Sequence, residues 1–313
     1  MRMDLNKKQQ LYKTLIEHLK EDYKKRSLQR ETNKNPKGQK KPVVVESCDY
    51  LGNQINLWSY WQGSLNAKIL LVGQDWGTVN PKSDNDKYRN ERTRENVQKM
   101  DIGEPAGYFD GIDDKIRFKT DTFIIELFKE LGNKYDDVTL KNDDLFFTNL
   151  CLGYRSEGNS QGFRVKWLRD DVKYLCGFDE SDGQKVKHIS GLLEIIKPDV
   201  VICLGKKTYE VLVQQYNKAL YDDVKNGTAE LAKTDFFKRL DQKCNYMTIQ
   251  IEDKEIRIYG VAHPGPLGIA NRYTKSTVNN QKEDKEDNKK DGKALQLEDW
   301  KNIGNWLQSQ NQW

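Results

Sequence analysis

Residues 67–77 read AKILLVGQDWG. Four consecutive apolar residues, Ile69 to Val72, end at Gly73, and a glutamine and an aspartate come directly after it. Apolarity that is continuous rather than alternating predicts a strand covered on both faces, the pattern of parallel sheets. Three other runs share this character: DLFFTNL (144–150), DVVICLG (199–205) and EIRIYGVA (255–262). Helical patterns lie between them, in TDTFIIELFKELG (120–132), VKHISGLLEIIKP (186–198) and KKTYEVLVQQYNK (206–218). Such alternation predicts an α/β fold around a central four-stranded parallel sheet. The stretches 78–115 and 218–245 read as insertions between these elements.

The residues just past the end of each run carry more information than the run itself. The first run opens into GQDWGTVNP, the second ends on Asn149 before CLGYRSEGNSQGF, the third gives LGKKTYE and the fourth HPGPLG. Ligands of open α/β sheets bind outside the carboxyl ends of the strands. Asp75, Asn149 and His263 are therefore expected around one crevice.

The flanks differ from this body. Residues 1–45 hold 13 Lys/Arg against 5 Asp/Glu, or +8, so the remaining residues sum to −4 within a total of +4. Leu11, Leu15, Ile16 and Leu19 predict an amphipathic helix to about Lys25, and SLQRETNKNPKGQKKP reads as a basic linker. Near the other end NQKEDKEDNKKDGK is a mixed-charge stretch. Leu295, Leu297, Trp300, Ile303 and Trp306 after it offer the apolar face of a helix. The expected divisions are 1–45 (basic helix and linker), 46–275 (α/β domain) and 276–313 (charged linker and helix). A basic arm on a near-neutral body fits a polyanion such as DNA. No apolar run approaches a membrane span and no signal peptide is recognisable, so a cytoplasmic protein is expected, as a monomer. The five cysteines are scattered without a CxxC pair, which disfavours a zinc ribbon or a disulfide framework.

GQDWG, FFTNL and HPGPLG, in this order and each at a strand end, resemble the motifs of the uracil-DNA glycosylase superfamily over roughly residues 45–275. There the matching motifs are GQDPY, a strand ending in a base-reading Asn, and HPSPLS. The resemblance implies a three-layer α/β/α domain. It also implies a monofunctional glycosylase that hydrolyses the N-glycosidic bond of uracil, or a related pyrimidine, flipped out of DNA. Cleavage leaves positive charge on the sugar and negative charge on the departing base. By the resemblance Asp75 stabilises the cation and orients the water, and His263 donates to the base oxygen. Gln74 and Asn149 contact the base, whose edge suits a side-chain amide. Phe118 stacks on it, with Tyr108 and Phe109 as alternatives. Leu267 wedges the duplex. Gly265, Gly268, Lys206, Lys207 and Arg272 approach phosphates. No lysine in the motifs suggests Schiff-base chemistry.

The sequence also departs from the family. Trp76-Gly77 replaces Pro-Tyr, removing the tyrosine that excludes a 5-methyl group, so a 5-substituted or hypermodified pyrimidine, as in anti-phage defence, is an alternative substrate. HPGPLG lacks the hydroxyls of HPSPLS. The iron–sulfur branch needs four cysteines, but Leu51 stands where a partner of Cys48 would, beside Cys151 and Cys176; no cluster, metal or other cofactor is expected. A catalytically silent DNA-binding module is the alternative from another class.

Overall fold

The computed structural model describes residues 3–15, 17–18, 45–46, 64–74, 119–132, 145–150, 154–155, 188–216, 236–275 and 292–310. Two compact units divide the chain. One comprises Met1–Lys68, Gly73–Asp110 and Asn142–Pro198; the other comprises Ile69–Val72, Gly111–Lys141 and Asp199–Trp313.

The first unit opens with helix α1 over residues 5–15. Its buried stripe is Lys8, Tyr12 and Leu15, spaced as one helical face, whereas Leu11 is left exposed. Lys8 buries its stem and donates from Nζ to the carbonyls of Leu65 (3.0 Å) and Ile196 (3.2 Å). The Tyr12 ring meets Phe146 edge-on at 5.8 Å. Tyr12 thus takes the place expected for Leu11; Ile16 and Leu19 lie outside the residues whose side chains are described.

Strand β1 (Val45–Glu46) pairs antiparallel with β4 (Tyr154–Arg155) in a small sheet of two. The main sheet holds β2 (Ile69–Gly73), β3 (Leu145–Asn149), β5 (Val200–Leu204), β6 (Tyr246–Ile251) and β7 (Lys254–Val261), in the order β3-β2-β5-β7-β6. β2 runs parallel to β5, and β5 to β7. Every residue of β2, β3 and β5 is buried, which is why these runs need no polar alternation.

The sheet is therefore mixed, mostly parallel, and five-stranded where four parallel strands were expected. The four apolar runs all form strands. The fifth, β6, is an antiparallel edge strand hairpinned onto β7, from Tyr246↔Tyr259 to Ile251↔Lys254. Its buried residues alternate with exposed ones, as on an edge. The turn is made by Glu252 and Asp253, with Glu252 at φ 51°. That left-handed residue is neither glycine nor asparagine, so the hairpin had no turn motif to announce it.

The remaining helices are α2 (Lys119–Gly132), α3 (His188–Ile196), α4 (Lys206–Tyr216), α5 (Phe236–Asp241), α6 (Pro266–Thr274) and α7 (Gly292–Ser309). α5 falls inside the segment 218–245 expected as an insertion, yet it buries Phe236, Phe237 and Leu240. α7 packs on α2, with Trp300 against Phe128 at 4.9 Å between ring centroids. No helix among the described residues is long and apolar enough to cross a membrane.

Candidate functional site

In the first unit Asn149 stands at the end of β3, against Gly73. Asn149 is 1% exposed. Its Oδ1 lies 2.0 Å from where a Cβ on Gly73 would stand, so only glycine fits at the head of the GQDWG motif. The Leu150 N–H donates to the Gly73 carbonyl at 2.9 Å, tying the two strand ends together. Among the described residues nothing accepts a hydrogen bond from Asn149 Nδ2. A buried amide donor in that state costs folding free energy unless something else engages it. Beside it, Thr148 Oγ1 lies 3.2 Å from Nε2 of the fully buried His188, whose pKa burial pushes down to about 3. Gln74, half-buried, comes directly after Gly73. Asp75, Trp76, Gly77, Phe118, Tyr108 and Phe109 lie outside the described residues, as do Cys48, Cys151 and Cys176.

The second unit holds the HPGPLG loop. The parallel register sets Val72 level with Cys203, and Cys203 level with Gly260, so β2, β5 and β7 finish at one edge. His263 emerges two residues after β7, with its side chain exposed. The Gly265 N–H donates to His263 Nδ1 at 2.9 Å. A neutral ring whose Nδ1 accepts must carry its proton on Nε2, which makes Nε2–H the donor of the ring. Gly268 packs against the start of the loop: a Cβ there would meet the His263 carbonyl oxygen at 1.8 Å. At the end of β5, Gly205 adopts φ 97°, and a Cβ on it would stand 3.6 Å from that of His263.

Pro266 sits in the first turn of α6, where its missing N–H costs nothing, and Gly265 is the extended N-cap. Leu267 comes next at 75% exposure, the most exposed large apolar residue among those described. It is no core residue. Lys206 and Lys207 open α4, half-exposed, and share Glu210 at 3.7 and 2.8 Å. Two cations in a first turn oppose the helix dipole, a cost that Glu210 offsets in part.

Arg272, expected among the phosphate contacts, is turned inward instead. It is 2% exposed. Its Nε and Nη2 donate to the two carboxylate oxygens of Asp299, both at 2.8 Å, and its Nη1 donates to Asp241 at 2.6 Å. Burial raises the Asp299 carboxyl to about 6 against the opposing pull of Arg272. Burial works to lower Arg272, but the hydrogen bonds and charges of Asp299 and Asp241 outweigh it and raise the guanidinium. Nearness to HPGPLG along the chain does not tell which side of α6 the arginine takes. Gln296 carried no signal in the sequence at all: its Nε2 donates to the His263 carbonyl at 3.2 Å from 33 residues away.

Among the described residues no group of three His, Cys, Asp or Glu is arranged to hold a metal ion. No family model matches the chain, and no curated protein matches it.

Proposed function

We propose that the chain is a monofunctional DNA glycosylase that releases uracil, or a closely related pyrimidine, from a nucleotide flipped out of DNA. The observation that carries this reading is the His263 ring, exposed at a strand end, whose Nδ1 accepts from the Gly265 N–H, an arrangement that in the neutral ring leaves the proton on Nε2. In its neutral form the ring keeps an Nε2–H that can donate to the departing base anion. Removing one preorganised donor of this type typically costs about 3–4 kcal/mol of barrier.

Asn149 supports the reading from its own unit. Its buried Nδ2 has no acceptor among the described residues, and its Oδ1 occupies the space that a Cβ on residue 73 would need. An amide fixed in this way distinguishes bases by their donor and acceptor edges. Asp75, immediately after Gln74, supplies the carboxylate that stabilises the sugar cation and orients water. Leu267, exposed on the first turn of α6, fills the gap left by the flipped base. Lys206 and Lys207 contribute positive charge for the phosphate backbone.

The Trp76-Gly77 pair, in place of a gating tyrosine, favours a second reading in which the substrate carries a 5-substituent. Alkaline cleavage of labelled oligonucleotides carrying one uracil, mismatched thymine or 5-modified cytosine tests both. Breaks at uracil alone support the first reading, and breaks at 5-modified bases the second. DNA binding without breaks at any base would leave a silent binding module.

A further inference from the structure

We infer that Gln296 is a positioning residue for His263. The inference rests on the reading of His263 as donor to the departing base. Gln296 lies on α7 and is 1% exposed. Its Nε2 donates to the His263 carbonyl at 3.2 Å, while among the described residues nothing donates to its buried Oε1. A glutamine retained for packing alone gains nothing from a buried, unsatisfied acceptor; an apolar side chain of the same length would fill the space without that cost. Among the described residues, what the amide adds is the hydrogen bond to His263.

The neighbouring contacts show why that bond fixes orientation. Positions 292, 296 and 299 share one face of α7, at helical spacing. Gly292 packs against the Ile269 carbonyl, where a Cβ would stand 2.0 Å from the oxygen. Gln296 holds His263, and Asp299 holds Arg272 through two hydrogen bonds. α7 thus grips the loop and α6 at three successive levels. Gly268 lies against the His263 carbonyl, where a Cβ would stand 1.8 Å from the oxygen. The His263 carbonyl thus meets both Gln296 and Gly268, and the same segment places the Gly265 N–H on Nδ1, so the carbonyl contacts position the ring.

Full-length protein with 15N-labelled histidine tests this, since the chain has only three histidines and His263→Ala identifies the ring signals. In the wild type the His263 ring is expected to carry its proton on Nε2. In Gln296→Leu the ring signals should move toward a tautomer mixture. Uracil release, measured where the variant is fully folded, should lose about tenfold in kcat with KM unchanged. Gln296→Met, unbranched and apolar, should behave alike and serves if the leucine variant does not fold. Ring signals and kcat both unchanged would overturn the inference, as would a lower melting temperature with unchanged ring signals. If the wild type releases no base, the proposed function fails while the ring spectra still decide the role of Gln296.

Discussion

The side-chain amide of Asn149 occupies the space that any side chain on residue 73 would need, with Oδ1 2.0 Å from that Cβ position. The last residue of one strand therefore dictates glycine at the end of another. Gly73→Ala should displace the amide and cost about 1–3 kcal/mol, the usual penalty for overpacking. Urea denaturation checks this. The double variant Gly73→Ala/Asn149→Ala should recover part of the loss, because the two positions are in direct contact. Base release should fall in both.

His188 should make stability depend on pH. Burial depresses its folded pKa to about 3, against an ordinary value of 6.5. Between those values the unfolded chain binds a proton that the folded chain refuses, so stability is lost as pH falls below 6.5. The slope approaches about 1.4 kcal/mol per pH unit, and the loss by pH 5 is about 2 kcal/mol. Asp299, raised to about 6, takes up a proton in the folded state over the same window and offsets part of this loss. Urea titrations at pH 7 and pH 5 should therefore show the His188 share as a larger loss in the wild type than in His188→Gln.

Arg272 and the lysines of α4 should separate cleanly. Arg272→Met strips Asp241 and Asp299 of their cation and should destabilise by about 3–5 kcal/mol. It should leave the salt dependence of DNA binding unchanged. Lys206→Ala and Lys207→Ala should do the opposite: little effect on stability, and a shallower slope of log K against log salt by about 0.7–0.9 each. Fluorescence anisotropy over a salt series reads both.

Leu267→Ala should be almost silent in stability, within about 0.5 kcal/mol, because the side chain is exposed. Base release from duplex DNA should fall more than release from single strands, where no gap needs filling. Equal losses on both substrates would remove Leu267 from the wedge role.

The strands of the sheet core were legible because burial on both faces leaves a continuous apolar run, as in Ile69–Val72 and Val200–Leu204. β6 was not, since an edge strand alternates and its turn is built by Glu252 rather than glycine. In α1 the buried face carries Lys8 four residues before Tyr12, a charge that in the sequence argues against that face, so Leu11 was expected there instead. At the candidate site, the prolines and glycines around His263 announced a constrained loop. The restraints that reach it from α7 were invisible, since Gln296 and Asp299 come from a distant helix and carry no local motif. Arg272 shows the converse: nearness in sequence to the loop did not decide which way its side chain faced.

Release of free base from a uracil-containing oligonucleotide by wild type, Asp75→Asn and His263→Ala, with DNA binding measured in parallel, bears on the glycosylase assignment before any other experiment. The wild type should release the base, each variant should lose about 100-fold or more, and all three should still bind DNA. Release unaffected by either substitution, or no release by a wild type that still binds DNA, would contradict the assignment.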